Sequence, residues 1–343
     1  MNVFGNNFKV SIFGESHGAA IGAVLDGVKA GLPLSAEDFS TDIARRKSGV
    51  KGTTPRTEAD EPEILSGVFE GHTTGAPLTI IFRNNNTHSK DYEALKYVPR
   101  PGHADYAASV KWNGLNDPRG GGHFSGRLTL PVVAAGVVAK KMLGNVGIEA
   151  ELIEVGGVPK PESLSDIKAT DAATAVQIWD EVLSKAIAEN DSVGGIVECS
   201  VKGLPAGIGE PFWNSVESMI SHAIFSIPGV RGIEFGDGFA AARMKGSKHN
   251  DPYEYADGAV RPAKNGAGGV NGGITNGADI IFRVAFKPTS SIRKEQKTLN
   301  IKTNKPETLI VPGRHDVCFA LRTPVIVEAM AAIALADLVQ RQA

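Results

Sequence analysis

A chain of 343 residues is longer than one average domain, and its 42% hydrophobic content allows a large core; aromatics make up only 6%, so Val, Ile, Leu and Ala must fill most of it. A formal net charge of −2 gives no basic excess for nucleic acid or an anionic membrane surface, so any anionic ligand has to be met by a local cluster of cations. The two cysteines, Cys199 and Cys318, form no CxxC pair and read as reduced thiols of a cytoplasmic protein; the N-terminus shows no secretory pattern, and no unbroken apolar stretch reaches membrane-spanning length.

Residues 8–13 alternate and read as a strand, followed by the polar turn Gly14-Glu15-Ser16-His17-Gly18 and a second strand over 21–28, a hairpin with a reactive tip. Ser35 caps a helix that starts with acids and closes on Arg45-Arg46-Lys47, cations that either complement the helix dipole or face a ligand. Residues 48–62 form a polar loop expected to be mobile. Strands follow over 64–70 and 77–83, then a second loop over 84–91 with His88 exposed.

The stretch 100–129 holds the densest chemistry. Arg100-Pro101-Gly102-His103-Ala104-Asp105 leads into a short amphipathic piece ending at Trp112. Asp117-Pro118-Arg119-Gly120-Gly121-Gly122 then feeds Ser125, Arg127, Thr129 and an apolar run to Leu143. A glycine loop before a helix start can present backbone N–H groups to an anion, although a glycine run is more often a plain loop. Residues 128–143 and 323–338 are apolar nearly all round, so both helices need burial on several sides; Thr323 is the expected N-cap of the second, with Pro324 at its first position.

Residues 150–158 and 194–201 read as strands. Residues 170–190 read as one amphipathic helix with Val176, Trp179, Val182, Leu183, Ala186 and Ile187 inward, and 210–226 as another, in which His222 is a packed side chain. The polar segment 238–269 is expected to be a loop that orders on ligand binding, 279–286 a strand, and 293–305 an exposed charged loop. The match between Val28-Lys29-Ala30-Gly31-Leu32-Pro33 and Val201-Lys202-Gly203-Leu204-Pro205 is short enough to be chance.

Four pieces carry chemistry: Glu15-Ser16-His17; His103 with Asp105; Gly120–Arg127; and Lys287-Pro288-Thr289-Ser290-Ser291 with Gly313-Arg314-His315-Asp316. Histidine suits proton transfer near neutral pH, and Ser and Thr hydroxyls beside a lysine suit a phosphate monoester. Both halves of the fourth piece also have plain readings, a strand exit and a surface ion pair. As metal ligands, His17, His103, Asp105, His315 and Asp316 would suggest a phosphohydrolase, but they lack metal-type spacing. A non-catalytic binder of a phosphate-bearing ligand is a further reading.

The stretches Phe13–Gly18, Arg100–Asp105, Asp117–Gly122, Gly272-Gly273-Ile274, Lys287–Ile292 and Gly313–Asp316 together resemble the chorismate synthase family, in family order over most of the chain. After the triple glycine the commoner family pattern is Arg-Ser-Ser-Ala-Arg-Glu-Thr; here it is His123-Phe124-Ser125-Gly126-Arg127-Leu128-Thr129. The resemblance implies an α+β fold, a β-α-β sandwich with apolar helices between two mainly antiparallel sheets, as one domain over residues 1–343 and in a homotetramer. It implies a lyase that takes phosphate and a ring proton from 5-enolpyruvylshikimate 3-phosphate in an anti 1,4-elimination, using reduced FMN without net redox change. It further implies catalytic roles for His17, His103, Asp316, Ser16 and Ser125. Flavin contacts would come from His123, Phe124, Ser125, Gly272, Lys287, Pro288, Thr289, Ser290, Ser291 and Arg314, and substrate contacts from Arg46, Lys51 and Arg127, with no metal. Some members reduce their own flavin with NADPH. No G-x-G-x-x-G fingerprint follows a strand here, so a separate flavin reductase is expected.

Overall fold

The computed structural model describes residues 2–55, 58–85, 97–256, 258–313 and 315–341. Its first sheet has the order β1-β2-β3-β7-β4, from β1 (Val3–Phe4), β2 (Lys9–Gly14), β3 (Ala20–Asp26), β4 (Glu63–Ser66) and β7 (Leu78–Arg83), with the small hairpin of β5 (Val68–Phe69) and β6 (His72–Thr73) at its edge. The second has the order β9-β8-β10-β16-β11, from β8 (Gly147–Val155), β9 (Val158–Pro159), β10 (Gly195–Lys202), β11 (Val230–Phe235) and β16 (Ile280–Phe286). Three two-stranded hairpins complete the strands: β12 (Tyr253–Ala256) with β13 (Ala259–Pro262), β14 (Val270–Asn271) with β15 (Ile274–Thr275), and β17 (Gln296–Asn300) with β18 (Lys305–Leu309). Every strand pairing in the two sheets is antiparallel.

The helices are α1 (Ser40–Arg46), α2 (Asp105–Lys111), α3 (Thr129–Leu143), α4 (Ala172–Ile178), α5 (Asp180–Ala188), α6 (Val216–Ile224), α7 (Gly246–His249) and α8 (Pro324–Gln340). The two helices that are apolar all round lie between the sheets: α3 packs on β3 and β7, α8 on β8 and β10, and the pair on each other. This is the expected sandwich, and it explains why neither helix has a polar face. The helices meet so closely that a Cβ on Gly136 of α3 would lie 2.3 Å from Ala329 Cβ and 2.5 Å from Ala329 Cα of α8. Backbone cannot yield there, so Gly136→Leu is expected to lower the unfolding free energy by about 3 kcal/mol or more, read by denaturant titration.

The two sheets share one design, but not in the register of the short internal match. Thr73 Oγ1 donates to Lys29 O and accepts from Leu32 N–H; Thr275 Oγ1 donates to Pro205 O and accepts from Ile208 N–H. Gly31 N–H donates to Thr73 O as Gly207 N–H does to Thr275 O. The true register therefore pairs Lys29 with Pro205 and Gly31 with Gly207, three and four residues further along than the letters suggest. Thr129 and Thr323, which open the two central helices, likewise bond back to the carbonyls of Gly126 and Ala320. Thr323 is the N-cap of α8 and Pro324 opens the helix, as expected, although the Thr323 side chain bonds back to Ala320 O and makes no capping bond.

Other expectations are corrected by packing. Residues 170–190 form two helices broken at Trp179, whose indole is buried and donates to Val158 O, while Ile187 points outward. The helix expected over 210–226 is a short 3-10 turn, Phe212–Asn214, followed by α6. His222 is exposed and stacks edge-on against Phe4. The segment 238–269 contains a 3-10 turn (Gly238–Arg243), α7 and the β12-β13 hairpin, tied by Asp251 to Lys264 and to the N–H groups of Gly266 and Ala267. Residues 296–300 pair as β17. Of the loop 48–62, Thr53, Thr54 and Asp60 are buried, while most of 84–91, His88 included, lies outside the described residues. Cys199 and Cys318 are free and buried, and burial pushes both thiols up, Cys318 to about 12. No helix among the described residues is long and apolar enough to cross a membrane.

Candidate active site

The β2-β3 hairpin fixes the first reactive turn. Asn84, just beyond β7, donates through its side-chain amide to Glu15 O and Gly18 O and ties the tip down, while Ser16 N–H donates to Gly122 O. The glycine run is therefore packed against the tip and does not hang free. Gly120 has φ +59°, and a Cβ there would lie 2.3 Å from the His17 ring and 2.7 Å from Ser16 Oγ. Only glycine allows both that backbone and that approach. On the other side, His103 Nε2 would lie 3.6 Å from a Cβ on Gly121, and Ser125 Cβ 3.8 Å from it. The glycines bring Ser16, His17, His103 and Ser125, far apart in sequence, around one point. Ser16 Oγ is fully buried with no hydrogen-bond partner in the structure.

His103 and Ser125 line a cavity of about 750 Å³ that also takes in Arg46, Gly120, His123, Phe124, Arg127, Lys287–Ser291, Asp316 and Arg322. His123 Nδ1 donates to Gly14 O at 2.8 Å, and the Phe124 ring lies 5.7 Å from that of Trp112. His103 Nδ1 lies 2.6 Å from Asp105 Oδ1, and Asp105 is also held by Arg100 Nε and Nη2. Burial would raise the Asp105 pKa, but the bonds from Arg100 and His103 outweigh it and hold the carboxyl well below the usual carboxylate range.

Three buried arginines form one wall. Arg46 donates to Thr129 Oγ1 and Gly126 O across the start of α3 and lies 3.5 Å from Asp60. Burial, then the charges of Arg322 and Arg127, push it down to about 9, still a cation at neutral pH. Arg127 pairs with Glu58 at 2.7 Å, with Asp60, and with Asn84 Oδ1. Arg322 pairs with Asp316 at 2.8 Å and lies over the Phe319 ring; the other Asp316 oxygen accepts from Thr54 N–H. The expected anion site at the start of α3 is thus served by guanidinium groups. Its own first turn is a 3-10 turn, Gly126–Leu128, with Ser125 Oγ accepting from Arg127 N–H.

At the other end, Lys287 Nζ donates to Ser290 Oγ, which donates to Gly102 O; Ser291 Oγ accepts from Arg100, and Ser192 from β10's approach donates to Thr289 O. Burial and then Arg231 push the Lys287 pKa down. Two cations crowd here, and Thr289 Oγ1 is buried with no hydrogen-bond partner. That donor set suits a phosphate group.

Ser16 and His17 reach the cavity only through Gly120, which lines it, and three other expected residues fall elsewhere. Lys51 is drawn off by Asp180 (2.6 Å) and Ser184 on the surface of α5 and does not line the cavity. Gly272 sits at the β14-β15 turn, also outside the cavity lining. Arg314 lies outside the described residues. Of the basic trio 45–47, Arg45 turns away to Glu328 of α8, and Arg46 and Lys47 line the cavity. Sequence reasoning missed Glu58, Asp60 and Arg322. The signal for Arg322 was a lone cation inside the apolar run before Pro324; Glu58 and Asp60 were hidden in a loop read as solvent-exposed. Asp60 has φ +55°, a left-handed backbone that a buried ion-paired residue here sustains. Among the described residues no group of three or more His, Cys, Asp or Glu could hold a metal ion.

The sequence model of the family described as chorismate synthase matches residues 8–340. A chorismate synthase of Chitinophaga pinensis is 60% identical over 98% of this chain and 96% of its own length, and one of Korarchaeum cryptofilum is 46% identical over 99% and 98%. A solved structure titled as a crystal structure of chorismate synthase superposes with a TM-score of 0.74 at 27% identity, covering 98% of this chain and 93% of the other. A cavity joining imidazoles, unpaired hydroxyls and buried arginines is what removal of phosphate from an anionic substrate needs, and the chain belongs to the chorismate synthase family, lyases that convert 5-enolpyruvylshikimate 3-phosphate to chorismate and phosphate.

Proposed function

We propose that this chain carries out the elimination in the 750 Å³ cavity with reduced FMN as its cofactor. The support is the convergence, on one cavity, of His103, Ser125 and Asp316 with Arg46, Arg127 and Arg322 on one wall and the Lys287–Ser291 cradle on the other, with Ser16 and His17 set against Gly120 of its lining. When bound, reduced FMN supplies transient electron density to a substrate whose ring proton is not acidic enough for a base alone. Lys287, Thr289 and Ser290 hold its phosphate, and His123, Phe124, Pro288, Ser291 and Ser125 border it. Arg46 and Arg127 hold the substrate's anionic groups, displacing part of their contacts with Glu58 and Asp60. His17 donates a hydrogen bond or proton to the departing phosphate. His103 holds the proton offered to the cofactor, and Asp316 with Ser16 and Ser125 orders the groups that receive the ring proton. Exclusion of water follows from the burial of the arginine wall.

The remaining parts of this reading are a cytoplasmic homotetramer of one-domain chains, served by a separate flavin reductase. The test is anaerobic: photoreduced FMN and substrate are mixed with the protein and the conjugated diene of the product is followed by absorbance. Full turnover with reduced FMN and none with oxidised FMN is expected; turnover independent of flavin would overturn it. Ser290→Glu places a like charge against the cradle and is expected to weaken FMN binding by about 100-fold or more by fluorescence titration, whereas unchanged affinity would move the phosphate elsewhere.

A further inference from the structure

We propose that Asp105 is a positioning residue that fixes His103 with its proton on Nδ1 and so turns Nε2 to the cavity, an inference that rests on His103 being the proton donor proposed above. His103 Nδ1 has two polar neighbours that demand opposite things. Asp105 Oδ1, at 2.6 Å, can only accept; Arg100 Nη2, at 3.1 Å, can only donate. The conflict resolves because Arg100 Nη2 also lies 2.8 Å from the same Oδ1. Both N–H groups therefore point at one carboxylate oxygen, and the Arg100–His103 approach is a consequence of sharing it. The shorter, charge-assisted bond decides the tautomer. Asp105 is in turn held by Arg100 N–H at 3.1 Å and Arg100 Nε at 2.7 Å, and Arg100 Nη1 donates to Ser291 Oγ at 3.0 Å. Ser290 Oγ donates to Gly102 O, so the turn that carries His103 is pinned at two points to the cradle segment. Neutral His103 then presents a lone pair at Nε2, beside Gly121; protonated His103 presents an N–H there, with the positive charge stabilised from behind by a carboxylate that stays ionised.

The test reads the tautomer directly. In flavin-free protein labelled with 15N-histidine, with the His103 signals assigned by their loss in His103→Gln, the neutral imidazole is expected to show a protonated Nδ1 and an unprotonated Nε2. The opposite pattern in the unmodified protein overturns the proposal, whatever becomes of any variant. Asp105→Asn is expected to mix or invert that pattern and to lower kcat by about tenfold or more while KM for the substrate moves less than about threefold. A variant that loses thermal stability or flavin affinity but keeps both the tautomer and kcat would show Asp105 to be structural only and also overturn it. Near wild-type turnover of His103→Gln instead removes His103 from the reaction, a separate failure that leaves the tautomer result standing.

Discussion

Replacing His17 or His103 by alanine is expected to lower turnover by about 10²–10⁴-fold each, the range for loss of a positioned proton donor. The two rings lie against different glycines, Gly120 and Gly121, and in the proposed reaction they serve different ends of the reacting pair. His17 lies on the hairpin tip beside the unpaired Ser16 Oγ, and Asn84 links that tip to Arg127. His103 lies on the turn tied to the Lys287–Ser291 cradle. His103→Ala should therefore act through the cofactor, and His17→Ala through departure of phosphate. Single-turnover absorbance under anaerobic conditions separates the two: FMN affinity should change little in His17→Ala, while its diene signal rises slowly. Wild-type turnover in either variant would take that residue out of the reaction.

The second large effect concerns stability. Glu328, in the second turn of α8, is buried and receives Arg45 Nη1 and Nη2 at 2.8 and 2.6 Å, Lys140 Nζ at 2.8 Å and the Ala150 N–H at 2.9 Å. One carboxylate thus joins α1, α3, α8 and β8 across the helix layer. Glu328→Ala strands two cations and a buried N–H and is expected to cost about 3–5 kcal/mol in denaturant unfolding. A loss below about 1 kcal/mol would mean that water or Asp42 replaces the carboxylate without penalty. Burial alone would raise the Glu328 pKa, but the bonds from Arg45 and the charge of Lys140 bring it below its ordinary value. Because the folded protein then binds this proton less tightly than the unfolded chain, the contribution is complete above the unfolded carboxyl pKa. It fades as pH falls through the lower folded value. The stability difference between wild type and Glu328→Ala should therefore shrink in acid and stay flat near neutrality.

Much of the outline was legible because it rests on local pattern. Two helices apolar on every side can only sit inside, and the hairpin with a polar tip follows from alternation broken by Gly14 and Gly18. Local pattern failed where a distant residue decided the outcome. Trp179 breaks a helix because its indole is buried and finds the Val158 carbonyl. Lys51 matched the look of a substrate ligand, but Asp180 on another helix is its partner. The internal repeat was visible as letters in the wrong register; only the paired roles of Thr73 and Thr275 fix the alignment.

The order of residues determined by itself which side chains could do the chemistry: two histidines next to glycines, hydroxyls beside a lysine, and a helix layer with no polar face. It could not determine their charge partners, since a guanidinium and a carboxylate attract in the fold without any fixed separation along the chain. Tertiary structure alone decided that Arg46 faces the cavity while its neighbour Arg45 crosses to Glu328, and that Glu58 and Asp60 close on Arg127. The physical reason is desolvation: a buried charge must be matched by whatever the folded chain brings within reach.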